Sequence, residues 1–157
     1  MFALLVSLFE KLAANLRFLN YLYLNIFRNL VENEIKMASI NQKDKVAHIG
    51  CGAIPYTSQI ITEKTGANIV AIDNDISAIR LASKYINKFN LGCKIELRLI
   101  DARNFAASNF DIIIISNTVN HQKEILANIC SSIKKETRII CRNRRFIFRS
   151  SVLLKIQ

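Results

Sequence analysis

The chain contains few of the residues that interrupt regular structure: its 157 residues include four glycines, one proline and no tryptophan. Between Phe2 and Ile40 there is neither glycine nor proline, and leucine and isoleucine recur at spacings of three, four and seven residues. This spacing places apolar side chains along one stripe of a helix. We therefore predict a helical N-terminal cap over residues 1–40, formed by one long helix or by two in tandem.

Long apolar runs and a secretory signal are also absent. Charged residues interrupt the first forty positions, and no run reaches the roughly 18 to 20 apolar residues that a membrane-spanning helix needs; these residues are Glu10, Lys11, Arg17 and Arg28. The start of the chain has neither the basic segment nor the small-residue cleavage site of a signal peptide. We expect a cytoplasmic protein without a membrane span.

The sequence has no cluster of metal-ligating residues. Its four cysteines are scattered, with no CxxC pair and no neighbouring histidine; they are Cys51, Cys93, Cys130 and Cys141. A zinc site needs ligands at close and regular spacing. We therefore predict no metal site, and we interpret the cysteines as small core residues in a reducing compartment.

Acidic residues are scarce towards the C-terminus. The net charge of the chain is +10, and residues 133–157 hold eight lysines and arginines against one acidic residue. Such a basic segment could bind nucleic acid or an acidic ligand. The alternative is that it forms a solvated end of the chain, and the sequence leaves both interpretations open.

From residue 41 onwards, short apolar strands alternate with helices. We predict strands at 45–49, 68–72, 94–100, 110–116 and 137–141, and helices at 55–65, 77–90 and 121–133. The run "IIII" at 112–115 is apolar on both faces, as in a buried parallel strand. The alternation predicts an α/β fold, a doubly wound and mostly parallel Rossmann-like sheet. Residues 41–157 would form this single domain.

Three features converge on the carboxyl ends of the predicted strands, where such sheets bind ligands. Gly50 and Gly52 allow close approach to the backbone between the first strand and its helix. Asp73 ends the second strand about twenty residues later, where a carboxylate can bind both ribose hydroxyls. Asp101 ends the third strand, in position to accept a hydrogen bond from a base amino group. Together they indicate an adenosine ligand.

Each of these residues also has a purely structural interpretation. The two glycines could form a tight turn without a ligand. Asp73 or Asp101 could cap the helix that follows it, which is the role that we expect for Asp75 because acids are favoured at helix starts.

The third glycine of the dinucleotide fingerprint is missing, and "AIP" at 53–55 stands in its place. A pyrophosphate needs close access to the helix N-terminus, whereas S-adenosylmethionine (SAM) carries no phosphate. This difference favours SAM over NAD as the ligand. Further candidates for contact with the donor are Cys51, Asn74 and Ala102, which lie beside these features, and Asn117, which follows the fourth predicted strand.

These motifs resemble those of a known group. "HIGCG", Asp73 and Asp101 are similar to the motif series of class I SAM-dependent methyltransferases. Within that group, "GCGAIPYTS" at 50–58 resembles the "GSGPLPxTS" loop of nicotianamine synthases, and "IDNDISAIRLAS" at 72–83 is similar to their second strand and helix. "FDIIIIS" and "TRIICR" resemble their fourth and fifth strands. The resemblance covers roughly residues 20–142.

The resemblance implies transfer of the aminocarboxypropyl group of SAM to an amine. This chemistry needs an aligned nitrogen and a base that takes up its proton. The resemblance implies a carboxylate of the N-terminal helices as that base, for which Glu32 and Glu34 are the candidates. Tyr56, in the glycine loop, would contact the substrate. Arg142 could pair with an acceptor carboxylate, and His121 is a second candidate for binding the acceptor.

The sequence departs from that family in three places. The first proline of the loop is missing, and about forty residues precede the nucleotide fold where the family has about a hundred. The segment after Arg142 is too short for the antiparallel strand pair that usually closes the sheet.

These departures keep two alternatives open. One is SAM-dependent methylation of RNA or protein, with the basic C-terminal region holding phosphates. The other is a non-catalytic remnant of the fold that acts in binding or assembly. In either case a homodimer is left open.

Overall fold

The computed structural model describes residues 17–142 and 151–155. Its helices are α1 (Arg17–Ala38), α2 (Tyr56–Thr65), α3 (Ile76–Lys88) and α4 (Gln122–Ser132), with a short 3-10 turn at Ala102–Asn104. Its strands are β1 (Lys45–Ile49), β2 (Asn68–Asp73), β3 (Ile95–Leu99), β4 (Ile112–Ile115), β5 (Arg138–Arg142) and β6 (Ser151–Lys155).

The described strands form one sheet in the order β3-β2-β1-β4-β5-β6. The first five are parallel to one another, and β6 pairs antiparallel with β5. Strand order reverses between β1 and β4, which opens a crevice at their carboxyl ends. The predicted doubly wound, mostly parallel α/β fold is confirmed.

The end of the sheet contains a strand that was not predicted. We expected the segment after Arg142 to be too short for an antiparallel strand pair, and the described residues contain one antiparallel strand there rather than two. This strand, β6, pairs directly with β5, with Arg142 opposite Ser151.

Helix α1 is continuous from Arg17 to Ala38. The asparagines at 20, 25 and 29, which are weak helix formers, do not break it, because packing outweighs such small differences in propensity. Val31 and Ala38 are buried in the core, and Arg138 of β5 donates to the Ala38 carbonyl. The helix is thus attached to the sheet. The rest of the predicted cap, residues 1–16, lies outside the described residues.

The central strand β4 is buried on both faces, as its sequence predicts. Ile112 and Ile114 pack in the cluster that contains residues of α1 and α2. Ile113 and Ile115 pack on the opposite face in the cluster that contains Ile125 of α4. Successive strand residues point to opposite faces, so a continuous apolar run requires a layer of helices on each side.

Two predicted helix boundaries can be compared with the structure. Helix α2 ends at Thr65, the predicted boundary, where Gly66 follows with a left-handed φ of 75°. Asp75 caps α3 by accepting a 2.8 Å hydrogen bond from Ser77 N. Helix α3 ends at Lys88, four residues before Gly92, and Asn90 takes the left-handed conformation there.

None of the helices in the described part of the chain has the length and apolar character needed to cross a bilayer.

Candidate functional site

A cavity of about 440 Å³ opens at the carboxyl ends of β1 to β4. Its volume lies in the range of small-molecule sites, about 300 to 1,000 Å³. Ten residues predicted to contact the donor or the acceptor line this cavity: Gly50, Cys51, Gly52, Tyr56, Asp73, Asn74, Asp101, Ala102, Asn117 and His121. The fold therefore brings most of the predicted site residues together.

The glycine loop after β1 requires its glycines. Gly50 and Gly52 have φ angles of 75° and 67°, in the left-handed region that other residues rarely adopt. A Cβ atom on Gly50 would lie 2.3 Å from Cγ2 of Val119. The backbone N–H groups of Gly50 and Cys51 both donate to the Ile72 carbonyl, at 2.9 and 3.0 Å. These contacts hold a tight bend whose backbone is exposed to the cavity.

Asp73 lies at the mouth of this bend. Its Oδ2 accepts a 2.9 Å hydrogen bond from Gly52 N, and its Oδ1 accepts one of 3.0 Å from Asp75 N. The side chain is partly exposed and lines the cavity. Each oxygen retains acceptor capacity, so a ribose hydroxyl could bind without breaking either contact.

Asp101 follows β3 and is held by Arg103. Its carboxylate accepts from Arg103 N at 2.9 Å and from the guanidinium Nη2 at 2.6 Å. These hydrogen bonds lower the pKa of Asp101 to about 2, and the bond from the Arg103 side chain has a larger effect than the bond from its backbone. The carboxylate is therefore ionised at neutral pH. Arg103 already donates to the oxygens that the sequence predicted would accept from a base amino group.

The loop after β4 forms the opposite wall of the cavity. Ser116 N donates to the Ile49 carbonyl at 3.0 Å, and the Gln122 amide donates to the Ser116 carbonyl at 3.1 Å. His121 precedes α4 with a φ of 56°, and its Nδ1 lies 3.2 Å from Glu124 Oε1. Ser116 was missed by the sequence analysis, although its place directly after an apolar strand was an available signal.

A buried ion pair lies beside the cavity. Arg142, at the end of β5, donates from Nε and Nη2 to the two oxygens of Glu34 at 2.8 and 2.7 Å. It also donates to the hydroxyls of Tyr56 and Thr57, each at 3.0 Å, and Ser151 donates to Glu34. Burial opposes the charge of Arg142, but Tyr56 and Glu34 outweigh it and raise the guanidinium pKa.

Three residues that were predicted to act on the acceptor lie outside the cavity lining. Glu34 and Arg142 are not among the residues lining the cavity, because each is the other's partner and they are 1% and 4% exposed. Glu32 also lies outside the lining, since it pairs with Lys64 on the surface at 2.8 Å. The Lys64 contact holds the pKa of Glu32 below its usual value. Tyr56 connects the ion pair to the cavity, because its phenol contacts Arg142 and its side chain lines the wall.

His48, which lies within the first predicted strand, is 1% exposed in β1. Its Nδ1 lies 2.9 Å from the Ser58 hydroxyl, and its Nε2 lies 3.1 Å from the Ser116 hydroxyl. Burial, with a further contribution from the charge of Arg142, lowers the pKa of His48 to about 3. The ring is therefore neutral at physiological pH.

Comparison with known proteins identifies the family. A family model described as a methyltransferase domain matches residues 40–152, which is more than half of the chain. L-Histidine 2-aminobutanoyltransferase of Yersinia pestis is 27% identical over 121 residues, which cover 76% of this chain and 45% of that protein. The chain thus spans about half the length of the curated relatives that it matches.

Solved structures show the same architecture. A mutant of MtNAS in complex with S-adenosylmethionine superimposes with a TM-score of 0.76 at 18% identity, covering 92% of this chain and 59% of that one. An RNA methyltransferase from Salinibacter ruber in complex with S-adenosyl-L-homocysteine gives 0.63 at 16% identity, covering 72% and 73%. At these identities the likeness concerns the fold.

The family match confirms the predicted methyltransferase family. The fold of MtNAS, together with the six-stranded sheet described above, confirms the predicted class I architecture and its likeness to nicotianamine synthases. The chain belongs to the methyltransferase domain family.

Proposed function

We propose that this cavity binds SAM and transfers its aminocarboxypropyl group to the amine of a small acceptor. The observation that supports this most is the position of Asp73, whose carboxylate contacts Gly52 N at the mouth of an open cavity. A carboxylate next to a bend of bare backbone is an arrangement that suits a ribose. A ligand with adenosine at one end and an amino acid arm at the other fits such an edge.

The charge of the cavity favours a cationic ligand. Asp73, Asp75 and Asp101 line it, and the guanidinium of Arg103 is held by Asp101. These carboxylates would repel a pyrophosphate, whereas they would attract the sulfonium of SAM. The residues therefore suit SAM better than a dinucleotide.

The order of the strands suggests how SAM would lie. Asp101 follows β3, Asp73 ends β2, the glycine loop follows β1 and Ser116 follows β4, in spatial order along one edge. The adenine would lie at Asp101 and the ribose at Asp73. The amino acid arm would then cross the glycine loop towards Ser116 and Asn117. Cys51, Asn74 and Ala102 would supply the walls between these points.

The proposed reaction is a substitution at carbon. The lone pair of the acceptor amine attacks the arm carbon attached to sulfur, a C–N bond forms, and the C–S bond breaks. Its electron pair goes to the sulfur, so that methylthioadenosine leaves, and the amine gives up a proton to a base. Tyr56 and His121 line the cavity and are the candidates for contacting the acceptor.

The similarity to the Yersinia pestis aminobutanoyltransferase suggests an amino acid acceptor, with L-histidine as the first compound to test. The experiment incubates the chain with SAM and L-histidine and identifies the spent donor. Methylthioadenosine would support aminocarboxypropyl transfer, and S-adenosylhomocysteine would indicate methyl transfer. If neither product forms and calorimetry detects no binding of SAM, the non-catalytic alternative would be preferred.

A matched pair of variants tests the site itself. We expect Asp73→Asn to weaken SAM binding at least about tenfold, because an amide replaces one acceptor oxygen facing the ribose with a donor group. Glu96→Gln is the control, because Glu96 is an exposed carboxylate of β3 that pairs with Arg98 and is not among the residues lining the cavity. Equal affinities of both variants and the wild type would contradict the proposed role of Asp73.

Methylation of RNA is the second candidate, favoured by the fold of the Salinibacter ruber RNA methyltransferase and by the basic C-terminal region. The internal pairing of several basic residues counts against it: Lys134 contacts Asp111, and Arg138 contacts Asp44. RNA affinity that falls steeply with salt would support this candidate. No binding at low salt would eliminate it.

A further inference from the structure

A line of three buried side chains runs from α2 through β1 to the cavity. Ser58 is fully buried, His48 lies between the two serines, and Ser116 is 6% exposed and lines the cavity. The His48 ring contacts Ser58 with Nδ1 and Ser116 with Nε2. A neutral ring has one donor nitrogen and one acceptor nitrogen, so the direction of this line depends on which nitrogen carries the proton.

The burial of Ser58 determines that direction. Within residues 17–142 and 151–155, His48 Nδ1 is the one group found within hydrogen-bond distance of the Ser58 hydroxyl. A fully buried hydroxyl that donates to nothing is costly. Ser58 therefore donates to Nδ1, and the ring proton is on Nε2, from which it is donated to Ser116 Oγ. The opposite tautomer would leave the Ser58 proton buried without an acceptor.

Ser116 is consequently left with a hydroxyl proton to donate. Its oxygen accepts from His48, and its side chain lines the cavity. Its Cβ lies 3.4 Å from the position of a Cβ on Gly50, so the hydroxyl lies at the β4 side of the glycine loop. This is the opposite side of the loop from Asp73.

From this geometry we infer that Ser116, oriented by His48, donates a hydrogen bond to the carboxylate at the end of the donor's amino acid arm. The inference rests on the proposed binding of SAM, with the ribose at Asp73 and the arm crossing the loop. An anionic oxygen is the acceptor that such a directed hydroxyl suits, because a hydrogen bond to a charged group is the stronger kind. Ser116 is a binding residue in this arrangement, and His48 is a positioning residue.

The test compares two ligands that differ in the arm. S-adenosylhomocysteine has the amino acid carboxylate, and methylthioadenosine does not. We expect Ser116→Ala to weaken binding of S-adenosylhomocysteine about tenfold in calorimetry and to leave methylthioadenosine within about twofold of the wild type. We expect His48→Phe to give the same pattern, and the double variant to be no weaker than Ser116→Ala alone, because the two residues act as one unit.

Two further variants separate positioning from general damage. His48→Gln should retain most of the affinity, because its amide nitrogen can take the place of Nε2 as the donor to Ser116. Ser132→Ala is the matched control, since it removes a partly buried hydroxyl that bonds to backbone carbonyls of α4 away from the cavity. We expect it to leave both affinities unchanged.

Three results would overturn the inference. The first is an equal loss of both ligands in Ser116→Ala, and the second is a multiplicative loss in the double variant. Either result would refute only the role assigned to these side chains and would leave the proposal that the chain binds SAM standing. The third is a wild-type chain that binds neither ligand, which would refute the proposed function and this inference together. If His48→Phe does not fold, Ser116→Ala and His48→Gln still decide the matter.

Discussion

Removing one member of the buried pair Glu34 and Arg142 should be among the most destabilising single substitutions in the described part of the chain. The two side chains are 1% and 4% exposed, and they share two hydrogen bonds of 2.7 and 2.8 Å. Glu34→Ala would leave a guanidinium buried without its carboxylate. Breaking a buried pair in this way costs about 3 to 5 kcal/mol. This is a large share of a total stability of about 5 to 15 kcal/mol.

Urea unfolding followed by circular dichroism measures the effect as a lower midpoint at an unchanged slope. For a protein of this size, the same loss should lower the melting temperature by roughly 6 to 20 °C. Glu32→Ala is the control, because Glu32 lies on the same helix but pairs with Lys64 at the surface. We expect that variant to remain close to the wild type.

The reasoning also predicts a partial rescue. The double variant Glu34→Leu with Arg142→Met removes both charges together, so it should be more stable than Glu34→Ala alone. If Glu34→Ala unfolds at the same urea concentration as Glu32→Ala, the pair is not the buried interaction that the structure indicates. A double variant that is less stable than the single one would contradict the argument from desolvation.

Two more predictions concern the glycine loop and acid stability. Gly50→Ala should abolish SAM binding and destabilise the fold, because the added Cβ would collide with Val119. Gly66→Ala is the control: Gly66 has the same φ but more space around it, so this change should lower the free energy of unfolding by only about 1 kcal/mol. The pKa of His48 falls from 6.5 to about 3 on folding, so the unfolded chain binds a proton that the folded chain does not. The free energy of unfolding should therefore decrease by about 1.4 kcal/mol per pH unit as the pH falls from 6.5 to about 3. Urea midpoints measured across this range should fall less steeply for His48→Phe than for the wild type. Parallel pH profiles of the variant and the wild type would refute this.

Much of the fold could be predicted because local signals and packing agree. The apolar run of β4 requires helices on both faces, and Gly66 and Asp75 carry the end and start signals of α2 and α3. The strand β6 could not be predicted, because residues distant in the sequence hold it in place: it pairs with β5, Ser151 donates to Glu34 of α1, and Leu153 packs against the core.

The candidate site, too, could be predicted where local signals exist and not where contacts join distant parts of the sequence. Glycines and aspartates at strand ends were predictable, because the fold brings the ends of neighbouring strands to one edge. Glu34 and Arg142 are 108 positions apart, and no local pattern indicates that they contact each other. His48 and Ser116 were overlooked as a pair for the same reason: their contact depends on the register of β1 against β4.

The placement of α1 has a practical consequence for anyone who wishes to produce the domain alone. The family match starts at residue 40, but Phe27 lines the cavity and packs on Tyr56, with ring centroids 4.4 Å apart. Trimming the chain to the matched segment would remove Phe27 from the cavity wall. It would also remove Glu34 and leave the guanidinium of Arg142 without its carboxylate. A shortened expression version should therefore begin upstream of Phe27, well before residue 40, where the family model begins to match.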